Sequence, residues 1–174
     1  MLKKKIIGIL ALILFFSCED KYELIDSKTI VSDSKKINGD TILYDSSGSF
    51  YYSRINKANS QGLLSQFILP DEFKTAQLEI VFSGRVKTNY AQSNAYINVA
   101  PFDQYGVMLG WNGICLRYYF TEINKWCYFK DSIHLKYESW NQPFHLINTF
   151  SYLGNSTNEK FDLDCLHVQI KALK

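Results

Sequence analysis

Two aspartates stand two residues apart near the end of the chain, Asp162 and Asp164 in "KFDLDCLHVQIKAL". On a strand, residues at that spacing point to the same face, so their carboxyls would lie about 6 to 7 Å apart. That is near the separation of the acid and base in an inverting glycosidase. Such catalytic pairs flank a cleft and come from different elements, whereas these two share one strand. The pair is therefore not expected to catalyse. His134, His145 and His167 fall in separate segments with no H-x-H or HExxH spacing, and each reads as a solvent-facing strand residue. A G-x-S-x-G elbow, a phosphate-binding glycine loop and a C-x-x-C pair are all missing from the sequence. The chain reads as a non-enzyme.

What the sequence offers instead is flat aromatic surface, with 12 Tyr, 12 Phe and 3 Trp. Sugar recognition uses such platforms together with a few planar hydrogen-bonding groups, on a shallow surface or in loops. Trp140, in the polar segment "KYESWNQP", is the loop candidate. Trp126 and Tyr128 run out of phase with Phe129 and are expected on an exposed sheet face. Arg117 and Tyr119 are expected on the outward face of their own strand, while Trp111 is expected in the core. Cys115, Cys127 and Cys165 read as small packing residues without a bridge, Cys127 being in phase with Phe129, Ile133 and Leu135.

The elements that must position these side chains are strands. From Thr41 onward, short β-branched and aromatic runs are divided by Gly, Asn, Asp and Ser, and no long helical pattern appears. Strands are expected over 41–45, 49–56, 63–69, 77–87, 94–100, 106–111, 114–120, 126–135, 144–153 and 161–171. Asp71 to Thr75, after Pro70, is the one stretch expected to make a helical turn. Evenly spaced strands without helices between them point to a sandwich or barrel. In "GVMLGWNGICLRYYF", Asn112-Gly113 is a dipeptide favoured in type I′ turns. That turn would pair Trp111 with Ile114, Leu109 with Leu116 and Val107 with Tyr118, all on one face. In the last strand, Phe161 and Leu163 have one parity while Leu166, Val168 and Ile170 have the other. A β-bulge near Asp164-Cys165 would bring all five to the core.

This bulged closing strand, preceded by "FSYLGN", resembles the end of jelly-roll domains of the carbohydrate-binding-module and galactose-binding-like type. "NKWCYFKDSIHL" is similar to their tryptophan-opened strand, with "AYINVAP" and "LGWNGICL" upstream in the matching order. The resemblance covers roughly residues 41 to 174. It implies an all-β fold, a jelly-roll β-sandwich of about ten short antiparallel strands. It also implies that Asp164, with Asp45 as partner acid, helps to hold a structural calcium, and that the domain binds a carbohydrate or another extracellular ligand. The alternative is a structural or assembly lipoprotein that meets an envelope protein through exposed aromatics.

The N-terminus supplies an address. Lys3, Lys4 and Lys5 precede an apolar run from Ile6 to Phe16, too short for the roughly 20 residues of a membrane span. A cationic start, a short apolar stretch and a small residue, Ser17, form the layout of a secretory signal. "LFFSC" resembles the lipobox of bacterial lipoproteins, which implies cleavage after residue 17 and lipid on Cys18. Glu19 and Asp20 follow, and an outer-membrane lipoprotein is expected, on either the surface or the periplasmic leaflet. Residues 18–40 read as the lipidated cysteine and a tether, with a short ordered piece near Thr29 to Val31, and residues 41–174 as the domain. Without its leader lysines the chain falls from a formal net charge of +2 to near neutrality. That balance argues against nucleic acid as a partner and leaves membrane attachment to the lipid.

Overall fold

The computed structural model describes residues 22–30, 41–44, 50–55, 61–153 and 159–173. The signal segment, Cys18 and Asp45 lie outside the described residues. Among the described residues there are ten strands: β1 (Tyr22–Ile30), β2 (Thr41–Tyr44), β3 (Phe50–Ile55), β4 (Gln61–Ile68), β5 (Leu78–Thr88), β6 (Ala95–Phe102), β7 (Asn112–Cys115), β8 (Cys127–Leu135), β9 (Leu146–Leu153) and β10 (Lys160–Leu173). Short 3-10 turns occupy Asp71–Phe73, Leu116–Tyr119 and Tyr137–Ser139. The first of these lies within the helical turn expected after Pro70.

The strands form two antiparallel sheets, ordered β2-β3-β10-β5-β8 and β4-β9-β6-β7, with β1 also paired to β10. The pairs β3 with β10, β4 with β9, β5 with β8 and β6 with β7 nest as one long folded hairpin. That hairpin is rolled up so that β10 also meets β5 and β9 also meets β6. This double-sheet winding is a jelly-roll β-sandwich.

Period-two burial explains why these segments are strands. Leu78, Ile80, Phe82 and Val86 of β5 turn inward, as do Cys127, Phe129, Ile133 and Leu135 of β8 and Ile97 and Val99 of β6. β10 carries the expected bulge. Its register on β5 slips between Asp164 and His167, and Cys165 takes the extra position at φ 50°. Phe161, Leu163, Leu166, Val168 and Ile170 are consequently all fully buried.

Two local expectations give way. Asn112-Gly113 is not a turn: both residues lie in β7, which pairs with β6 through Asn112↔Val99 to Cys115↔Tyr96. The turn sits earlier, where Gly106 N donates to Asp103 O and Gly106 takes φ 77°. Residues 116–119 then coil into a 3-10 turn and do not return as a strand. The flanking strands already offer β7 a partner in β6, so tertiary pairing outweighs the local turn preference. Tyr22–Ile30, placed in the expected tether, instead forms β1 along β10, with Ile25 packed against the core.

Candidate functional site

On the outer face of the second sheet, period two sends Tyr96 and Asn98 of β6 away from the core that takes Ile97 and Val99. Tyr152 of β9 is the cross-strand partner of Tyr96, and their rings lie 6.2 Å apart, tilted by 52°. Trp111, just before β7, completes a groove of about 380 Å³ lined by Tyr96, Asn98, Trp111 and Tyr152. Trp111 is 64% exposed, so the expectation that it lies in the core is corrected. Its placement there followed from the Asn112-Gly113 turn, which does not form.

Asn98 is the polar centre of this groove. It is only 4% exposed, and its Oδ1 has no hydrogen-bond partner within the described chain. Leaving a buried acceptor unpaired costs about 1–3 kcal/mol. Tyr96 shares a hydrogen bond with the thiol of Cys115, its partner on β7. That bond, the thiol's charge and burial push the Tyr96 phenol above its ordinary range, while the Arg117 charge opposes the shift. The lining thus combines three aromatic side chains with one amide whose Oδ1 is buried and unpartnered, and none of these four residues is a carboxylate. Aromatic faces beside an amide are the kind of chemistry that packs against a flat, hydroxyl-bearing molecule.

The five residues singled out from the sequence do not converge here. Arg117 stands within electrostatic reach of Tyr96, with its guanidinium 5.7 Å from the Tyr118 ring centroid. Trp140 is half-buried, edge-on to Phe144 at 5.5 Å, and its indole closes over Gly110. It packs the end of the sandwich. Tyr119 was expected to face outward, but its ring lies 5.8 Å from Phe129 and its hydroxyl donates to Asp131 Oδ2 at 2.6 Å. Burial and that hydrogen bond push its phenol up to about 12.

Trp126 and Tyr128 lie on the opposite sheet. Tyr128 is exposed, while Trp126 lies beneath two cations, Lys87 Nζ at 4.6 Å and Arg85 at 5.6 Å from its ring centroid. Those cations serve the two aspartates. Asp164 accepts from Arg85 Nε at 2.8 Å and from Nη2, and Asp162 pairs with Lys87 at 3.1 Å and Lys160 at 3.4 Å. With a guanidinium on its carboxylate, Asp164 does not fit a calcium ligand. Among the described residues, no group of three or more His, Cys, Asp or Glu is placed to hold a metal ion.

Tyr96, Asn98 and Tyr152 were not singled out from the sequence. The signal available was parity, since each alternates with core residues of its own strand. Their convergence depends on the β6–β9 pairing, between segments some fifty residues apart, which no local pattern announces.

No protein-family model and no curated protein matches the sequence. Solved structures share the fold. VP2 of infectious bursal disease virus, in its subviral particle, aligns with a TM-score of 0.60 at 8% identity, covering 88% of this chain and 33% of VP2. The chain thus spans about a third of the length of VP2. The CBM22-1 xylan-binding domain of Paenibacillus barcinonensis Xyn10C aligns at 0.48 and 15% identity over 88% of this chain and 96% of its own. The carbohydrate-binding module CBM6cm-2 of Cellvibrio mixtus lichenase 5A, solved with cellotriose, aligns at 0.42 and 13% identity over 87% and 99%. At 8% identity the likeness to VP2 establishes the fold alone.

Proposed function

We propose that this protein is a lipid-anchored, non-catalytic envelope protein that binds a neutral carbohydrate in the groove of Tyr96, Asn98, Trp111 and Tyr152. The observation that carries the reading is the buried, unpartnered Asn98 acceptor set among three aromatic side chains. Aromatic faces pack against the C–H faces of a pyranose, and the amide accepts from one of its hydroxyls. The lining residues carry no charge to pair with an acidic ligand. Lipid on Cys18 would hold the domain at the outer membrane, as the signal-like leader implies.

The test is a glycan array probed with the mature chain, followed by calorimetry on any hit. Trp111→Ala is expected to weaken binding at least tenfold, as loss of a central aromatic anchor does. Trp126→Ala, on the other sheet, is expected to leave affinity unchanged. Silence across a broad neutral array, or a hit that survives Trp111→Ala and Asn98→Leu alike, would remove this reading.

A further inference from the structure

One end of the sandwich gathers the start of β1 and the loop that follows β6. Leu69 N donates to His145 O at 3.1 Å, His145 N to Phe102 O at 2.8 Å, Phe144 N to Lys74 O at 2.7 Å and Leu173 N to Gln77 O at 2.9 Å. These bonds tie the end of β6 and the end of β10 to the same pair of connections. Tyr22, the first residue of β1, pairs with Leu173, and its ring lies 6.3 Å from that of His134, next to the end of β8. Chain arriving from Cys18 therefore meets the domain at this end.

From this end a narrow hairpin projects in the direction of β6. Leu109 N donates to Pro101 O at 2.9 Å and Asp103 N to Val107 O at 3.0 Å. Asp103 Oδ1 accepts from Tyr105 N and from Val107 N, each at 2.8 Å, and Gly106 supplies the positive φ of the turn. The tip is thus tightly braced. Yet it holds large apolar side chains in solvent: Tyr105 is 81% exposed, Val107 57% and Met108 51%. A braced backbone that presents apolar side chains is organised to bury them against something else.

We infer that this tip docks on the bilayer carrying the Cys18 lipid, with Tyr105 in the headgroup zone. The inference rests on reading Cys18 as lipid-bearing. Three residues, Glu19, Asp20 and Lys21, separate Cys18 from β1. Four Cα steps span at most about 14 Å, so the end bearing Tyr22 cannot stand far from the headgroups. Tyrosine suits that zone, since its ring is apolar and its hydroxyl stays wet. Asp71, Glu72 and Lys74 at the same end mix charges of both signs, so attraction rests on the apolar tip and not on anionic lipid. The anchor supplies high local concentration, and the tip needs to add only orientation. Tyr96 and Tyr152, at the start of β6 and toward the end of β9, then lie at the end of their sheet remote from the tip.

The test uses the mature protein, purified from membranes in detergent and reconstituted into phosphatidylcholine vesicles that contain shallowly brominated phosphatidylcholine. The Tyr105→Trp variant is compared with wild type, whose own tryptophans give the background. The added indole is expected to lose roughly half its emission to the brominated lipid, as a side chain at interfacial depth would. The mass of the N-terminal peptide is measured on the same sample. A lipidated peptide without extra quenching overturns docking and leaves the anchor intact. A peptide without lipid overturns the anchor and the docking with it.

Discussion

The Asn98 carboxamide lies across Gly113, its partner on β7, so closely that a Cβ on Gly113 would collide with Asn98 Oδ1. The glycine thus keeps open the space in which the Asn98 amide rests. Gly113→Ala should push Asn98 off its place at a cost of about 1–3 kcal/mol, the usual range for overpacking. The protein should still fold, with a lower melting temperature, and should lose glycan binding as measured by calorimetry. A folded Gly113→Ala protein with undiminished affinity would show that Asn98 does not touch the ligand.

Asn98→Leu probes the same relationship from the other side. Replacing an unpaired buried acceptor with an apolar group of similar shape should leave stability unchanged or raise it, since the cost of the unpaired oxygen, about 1–3 kcal/mol, disappears. Binding should fall at least as far as in Trp111→Ala. Thermal melting and calorimetry on one sample separate the two effects. A residue kept only for stability would show the reverse, with a lowered melting temperature and ligand affinity intact.

Much of the fold was legible in the sequence because it is written in parity. The alternation along Cys127–Leu135 and the phase break at Asp164-Cys165 each predict which residues reach the core, and both hold. The Asn112-Gly113 turn failed because a dipeptide preference is worth little against a full set of ladder bonds to β6. Asp103 and Gly106 carried a quieter turn signal that the same stretch also contained. β1 was missed because its run is mostly polar and, among its described side chains, Ile25 is the hydrophobic one packed against the core. The groove was illegible for a different reason: parity says that Tyr96 and Tyr152 point out, but not that they point out together.

The bulge makes its own prediction. Cys165 is exposed and sits at φ 50°, a left-handed conformation that costs a residue with a Cβ about 1 kcal/mol. Cys165→Gly should therefore be neutral or stabilising by up to about 1 kcal/mol, less the weak contact from its thiol to Asp164 Oδ1 at 3.3 Å. Deleting residue 165 should instead abolish folding. Without the extra residue, Leu166, Val168 and Ile170 cannot share a face with Phe161 and Leu163. Circular dichroism and melting of the two variants check both halves.

On the opposite sheet, the Asp164 side chain is 6% exposed and that of Arg85 48%. Arg85→Ala would strand a buried carboxylate, which costs several kcal/mol when both partners are buried. The solvent that already reaches Arg85 reduces that figure to about 1–3 kcal/mol. The double variant Arg85→Met with Asp164→Leu should recover most of the loss, because it removes the charge that needs a partner. Denaturant melts of both singles and the double form the cycle that measures the coupling. A purely additive cycle would show that the pair is a passive surface contact.

Tyr119 sets the alkaline behaviour. Burial and its hydrogen bond to Asp131 raise its phenol from about 10 to about 12 in the folded protein. A group raised on folding contributes its stability in full below the unfolded value and loses it as pH climbs through the folded one. Tyr119→Phe should therefore lower stability at neutral pH by about 1.5–3 kcal/mol, the worth of a hydrogen bond to a charged acceptor. The gap between wild type and variant should close between pH 10 and pH 12. An ultraviolet titration should show one tyrosine fewer among the late-ionising phenols of the variant. If the gap stays constant across that window, the Tyr119 hydroxyl is solvated and the 2.6 Å bond to Asp131 contributes nothing to holding the turn after β7 against β8.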